Sequence, residues 1–104
     1  MLRPLLLAFA LAAFASSAAA QPFGDAVRGG NIARTDCSGC HAIGRGPDAS
    51  PDPIAPRFSA VAATPGMTDR ALRVWLQSSH PTMPNYVLSQ EDIDDVSAYI
   101  LRLK

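Results

Sequence analysis

Apolar positions recur at helical spacing in three separate stretches of this chain. In residues 25–35, Ala26, Gly29, Ile32 and Ala33 share one face, and Asp25 stands where an N-cap side chain would accept from the free N–H groups of a first turn. Residues 68–78 repeat the pattern, with Thr68 as cap, Asp69 in the first turn and Leu72, Trp75 and Leu76 along one side. The third stretch, residues 89–103, opens with Ser89 and Asp92 in the manner of a capping box and carries Ile93, Val96, Ile100 and Leu103 as an apolar stripe. Its acids, Glu91, Asp92, Asp94 and Asp95, crowd the amino-terminal half while Arg102 and Lys104 end it, as a helix dipole favours. That acidic group reads as a solvated helix start.

Nothing alternates at the period of a strand. Between His41 and Gly66, Pro47, Pro51, Pro53, Pro56 and Pro65 disfavour helix and central strand alike. We expect a long shaped loop there, with Ile54, Phe58 and Val61 as the side chains it buries. Gly29 and Gly30 weaken the first helix unless another element approaches its backbone closely. The expected class is all-α.

A fourth apolar stretch has a different character. Residues 5–14 form an unbroken run behind Arg3, and residues 16–20 are all small. The run is far shorter than the ~20 residues that span a bilayer, so residues 1–20 read as a secretory signal peptide cleaved after Ala20. The domain is then residues 21–104, with eight basic and nine acidic side chains and a net charge of −1. Scattered arginines at that balance argue against a nucleic-acid binder that neutralises many phosphates, and there is no sign of a polybasic patch for a membrane surface. So small a domain also buries a modest fraction of its surface, which leaves room for a prosthetic group in its core.

The two cysteines supply the candidate. Cys37-Ser38-Gly39-Cys40-His41 is the spacing of covalent haem attachment. Two thiols three positions apart form thioethers to the two vinyl groups of one haem, and the histidine that follows becomes the proximal iron ligand. A thioredoxin-like redox pair would need a βαβ pattern that is absent. A zinc site would need a second histidine at ligand spacing. A structural disulfide is chemically open to an exported chain but leaves His41 without a role.

Around these residues, nearly all of residues 24–104 resembles the class I c-type cytochromes. The resemblance is carried by Gly24-Asp25 and Gly29 before Cys37, Ala55-Pro56-Arg57-Phe58 after it, then Thr82-Met83-Pro84, and Ala98-Tyr99 in the last helix. It implies a class I cytochrome c fold of three main helices and loops wrapped around one covalent haem c. Met83, in a loop stiffened by Pro81 and Pro84, is the implied sixth iron ligand; Met67 and His80 are the other donors in reach along the sequence. A loop carbonyl is implied to hold the second ring nitrogen of His41, with Pro56 matching the family and Pro53 nearby. Trp75, Tyr86 and Arg57 either meet the haem propionates or serve packing. Gly29 and Tyr99 match the family's crossing of first and last helices, and the departure is Ala33, where a larger aromatic residue is common.

A haem iron with both axial positions filled has no place for substrate, so the implied function is outer-sphere electron transfer by a carrier rather than an enzyme. The expected setting is the periplasm, with donor and acceptor proteins as partners and the chain either a monomer or part of a complex. Two alternatives stand beside the free carrier. One is a dedicated haem c subunit of a larger dehydrogenase or oxidase. The other is a gas-binding or peroxidatic haem protein, against which the amino-terminal place of the haem motif speaks.

Overall fold

A computed structural model describes residues 24–78 and 80–104. The segment read as a leader lies outside the described residues. Four α-helices follow one another, α1 (Ala26–Ile32), α2 (Phe58–Ala63), α3 (Asp69–Gln77) and α4 (Gln90–Leu101), and among the described residues there is no strand. None of these helices is long and apolar enough to cross a membrane.

The caps read from the sequence are in place. The Asp25 carboxylate accepts from Val27 N–H and Arg28 N–H at 2.9 and 3.1 Å. Thr68 Oγ1 accepts from Ala71 N–H, and Ser89 Oγ from Asp92 N–H. The first helix does not stop at Ile32. It widens into a π-helical segment, Ala33–Cys37, in which Ser38 N–H reaches back to Ala33 O at 2.9 Å. Such wide turns concentrate at functional sites, and this one delivers Cys37.

The helix α2 departs from the expected loop. The prolines that argued against it, Pro56 and Pro65, flank the Phe-Ser-Ala-Val-Ala-Ala segment without interrupting it. Phe58 and Ala62 are buried and Val61 packs against the core. Ile54 does the opposite of what was expected, standing 72% exposed.

The closest packing is α1 across α4, and α2 and α3 also rest on α4. A side chain on Gly24 or Gly29 would collide with the backbone of residues 94–95, so both glycines are required by the approach itself. The Tyr99 ring covers Gly30, and its hydroxyl donates to Ile43 O at 2.7 Å, tying the last helix to the chain just beyond His41. Ala33, Leu72, Val96, Ile100 and Leu103 complete the core.

The acidic start of α4 is not simply solvated. Asp95 is 2% exposed and accepts from Asp25 N–H at 2.7 Å, with Arg28 Nε 3.2 Å from its other oxygen. Arg28 also pairs with Glu91, and Arg73 joins Asp94 at 3.0 Å to Asp69 at 2.9 Å. These acids clamp α1 and α3 onto α4.

Candidate haem-binding site

Beside the core lies a cavity of about 460 Å³. Its apolar walls come from α2, α3 and α4, through Val61, Leu72, Leu76, Ile93, Val96 and Ile100. Cys37, Cys40 and His41 line it as well. They sit on a turn that continues the first helix, with Cys40 N–H and His41 N–H both directed at Cys37 O, at 3.2 and 2.9 Å. The two thiols are unbridged. Burial, with the charge of Asp36 added, pushes the Cys37 thiol up to about 11. That is the reverse of the electropositive, exposed setting of a redox-active thiolate.

The ring of His41 is held on two sides. Its Nδ1 lies 2.6 Å from Pro56 O, so Nδ1 donates to that carbonyl and Nε2 keeps a lone pair. It is Pro56, not Pro53, that provides this contact. Phe58 lies against the same ring at a centroid distance of 5.1 Å, and its N–H reaches Ala42 O at 2.9 Å. Phe58 is buried as its apolar character predicts, but on a helix rather than a loop, and its contact with His41 is a tertiary one that no local pattern encodes.

Met83 and His80 line the cavity too, with Met83 Sδ and His80 Nε2 2.8 Å apart. Met67 does not line it and packs instead against the core. Trp75 and Tyr86 are wall residues, each about half exposed, and Trp75 lies against the His80 ring at 4.5 Å. Arg57 is elsewhere: its guanidinium donates to Pro47 O at 3.1 Å and takes no part in the lining. Asn85, Gln77 and Gln90 also line the cavity, at positions that no sequence motif marks.

A largely apolar cavity of this size suits a flat ring compound, and the donors on its wall suit a haem in particular. Two thiols are spaced for the vinyl carbons, and one histidine is anchored as iron-ligating histidines are. Among the described residues, no three His, Cys, Asp or Glu side chains gather to hold a bare metal ion.

Residues 24–100 match the family model described as cytochrome C oxidase, cbb3-type, subunit III. The chain is also 35% identical over 103 residues to cytochrome c-552 of Bradyrhizobium diazoefficiens, covering 99% of this chain and 95% of that protein. The chain belongs to the class I c-type cytochromes. No solved structure matches it. As a cytochrome c it carries covalently bound haem c, for which Cys37 and Cys40 have the spacing, and it works in electron transfer. The family in general moves electrons rather than transforming substrates, so redox proteins are its partners. The bound haem supplies a one-electron couple, and the protein's part is to hold it, set its axial ligands and keep water from most of its surface.

Proposed function

We propose that this cytochrome is a periplasmic carrier of single electrons. Its haem c is attached through Cys37 and Cys40 and ligated by His41 and Met83, and residues 1–20 are removed on export. The observation that supports it is the meeting of four such donors, Cys37, Cys40, His41 and Met83, on one apolar-walled cavity. A thioether opposite an imidazole favours the ferrous state and raises the potential above that of two nitrogen ligands. With both axial positions filled, no substrate reaches the iron, and the chain is a carrier and not an enzyme. Pro56 fixes the tautomer of His41, and Trp75 and Tyr86 shield the ring wall. Arg57 serves the loop through Pro47 rather than the haem.

Two measurements test this. Intact mass of the exported protein should equal residues 21–104 plus one haem. The ferric absorption spectrum should carry the weak long-wavelength band of a thioether on iron. A mass without haem, or a ferric spectrum lacking that band, would sink the corresponding part.

A second reading, a haem subunit held within a larger oxidase, draws on the wording of the matching family model and on the rim of the cavity. Val87 is fully exposed there, beside the half-exposed Tyr86 and Trp75. Co-purification from membranes with an oxidase would favour it; a free monomer in the periplasmic fraction would favour the carrier.

A further inference from the structure

Two electron-pair donors face one another on the cavity wall. His80 Nε2 is 2.8 Å from Met83 Sδ, and the other ring nitrogen, Nδ1, is 3.0 Å from Ser78 O. A carbonyl can only accept, so Nδ1 carries a hydrogen, and in the neutral form of the ring the lone pair then lies on Nε2. This repeats the arrangement of His41, whose Nδ1 is held by Pro56 O while Nε2 is free. Iron-ligating histidines are held in this way, with the second nitrogen on a carbonyl.

With that tautomer, Nε2 and Sδ have no hydrogen to share. A cation satisfies either of them, and no Lys or Arg of the described residues lines the cavity. The imidazole is also kept in place, with Trp75 against it at 4.5 Å and 32°. Between the two donors sits Thr82 at φ 75, the one non-glycine residue with positive φ among those described. A β-branched side chain is disfavoured there, and strain of this kind clusters at active sites, ligand clamps and switch segments.

We infer that His80 is a reserve axial ligand: when Met83 Sδ leaves the haem iron, His80 Nε2 takes its place. The inference rests on the His41 and Met83 site proposed above. The exchange breaks one Fe–S bond and forms one Fe–N bond from a lone pair already present, so no proton and no electron changes hands. Nitrogen ligation favours the oxidised metal, so the exchange falls mainly on the ferric state. Its consequence is a sixth position that stays closed to small molecules even while Met83 is away.

The haem-loaded protein and three variants test this, Met83→Leu, His80→Ala and the double variant. Each is read by ferric absorption and electron paramagnetic resonance, reduction potential, and carbon monoxide binding to the ferrous form. The parent and His80→Ala should both show the thioether band. Met83→Leu should lose it yet remain low-spin, with its potential shifted down and slow carbon monoxide binding. The double variant should turn high-spin and bind carbon monoxide readily. Both variants lacking Met83 carry the same leucine, so any structural effect of it falls on both, and their difference belongs to His80. If the parent shows the thioether band while Met83→Leu is as high-spin as the double variant, the inference fails and His80 is only a wall residue beside Met83. If the parent lacks the band and only His80→Ala alters its spectrum, His80 is the resident ligand, and the Met83 assignment falls together with the reserve role.

Discussion

Gly29 of α1 lies directly against Tyr99 of α4, so closely that a Cβ on the glycine would stand 2.9 Å from the Cβ of the tyrosine. The same Cβ would overlap the carbonyl of Asp95, which is backbone and cannot turn aside. The next residue, Gly30, faces the edge of the Tyr99 ring, where a Cβ would lie 3.1 Å from Cδ2 and Cε2, a tight contact.

These two neighbouring glycines therefore differ in what a methyl group does. Gly29→Ala should gain the ~0.5–1 kcal/mol of helix propensity but lose more to overpacking, which typically costs about 1–3 kcal/mol. Gly30→Ala should be milder, because a ring can shift by a few tenths of an ångström where a backbone carbonyl cannot. Thermal melts of both haem-loaded variants check the order. Equal melting temperatures would mean that the helices part as easily as the ring turns.

Asp95 is the second device at this crossing. Asp25 caps α1 with its side chain, while its own N–H is held by the Asp95 carboxylate at 2.7 Å. Asp95→Ala leaves that N–H without its acceptor beside a buried void and should cost about 1–3 kcal/mol. Asp95→Asn retains an acceptor oxygen and should cost less. Urea midpoints of the two variants decide between them. Equal losses would put the weight on the charge facing Arg28, not on the bond to Asp25.

Three of the helices were legible in the sequence because each begins with its own capping side chain and carries a stripe three or four residues apart. The helix α2 was not, since proline density over residues 41–66 outweighed Ala60, Ala62 and Ala63, although the prolines only bracket them. Among four acids at the start of α4, local pattern could not tell that Asp95 alone turns inward; its place four residues before Tyr99, on the side that meets α1, is visible only once the helices cross. The haem attachment motif was legible because Cys37, Cys40 and His41 are local in sequence. Contacts of His41 with Phe58 and of His80 with Met83 depend on how loops close over the cavity, and the guanidinium of Arg57 donates to Pro47 O, a loop contact that no local pattern encodes.

The cavity also sets what the chain is without its cofactor. At ~24 cal/mol per Å³, a void of about 460 Å³ would cost on the order of 10 kcal/mol if it stayed dry, comparable with the whole stability of a small domain. Its mouth admits water, which exchanges part of that cost for wetting apolar walls. Cys37→Ala combined with Cys40→Ala should therefore leave a chain with little cooperative structure. Circular dichroism through a thermal ramp checks this, and a sharp transition at parent-like helix content would show that the helices hold without haem.

With His41 as the proposed iron ligand, Phe58 links stability to the metal. It is 6% exposed, opens α2 with its N–H on Ala42 O, and lays its ring against His41. Phe58→Ala removes a core side chain and should cost about 3–5 kcal/mol. Phe58→Leu keeps most of the volume, and such swaps usually cost less than about 1.5 kcal/mol, so that variant should fold and load haem. What leucine cannot replace is the aromatic ring beside the imidazole, tilted 44° to it. Water then approaches His41 more closely, and a more polar surrounding stabilises the more highly charged ferric state. The potential of Phe58→Leu should therefore fall while its ferric spectrum keeps both axial ligands, because Pro56 O still holds Nδ1. Voltammetry beside absorption spectra makes the comparison, and a variant that loses stability but keeps the parent potential would reduce Phe58 to a core residue with no part in tuning the iron.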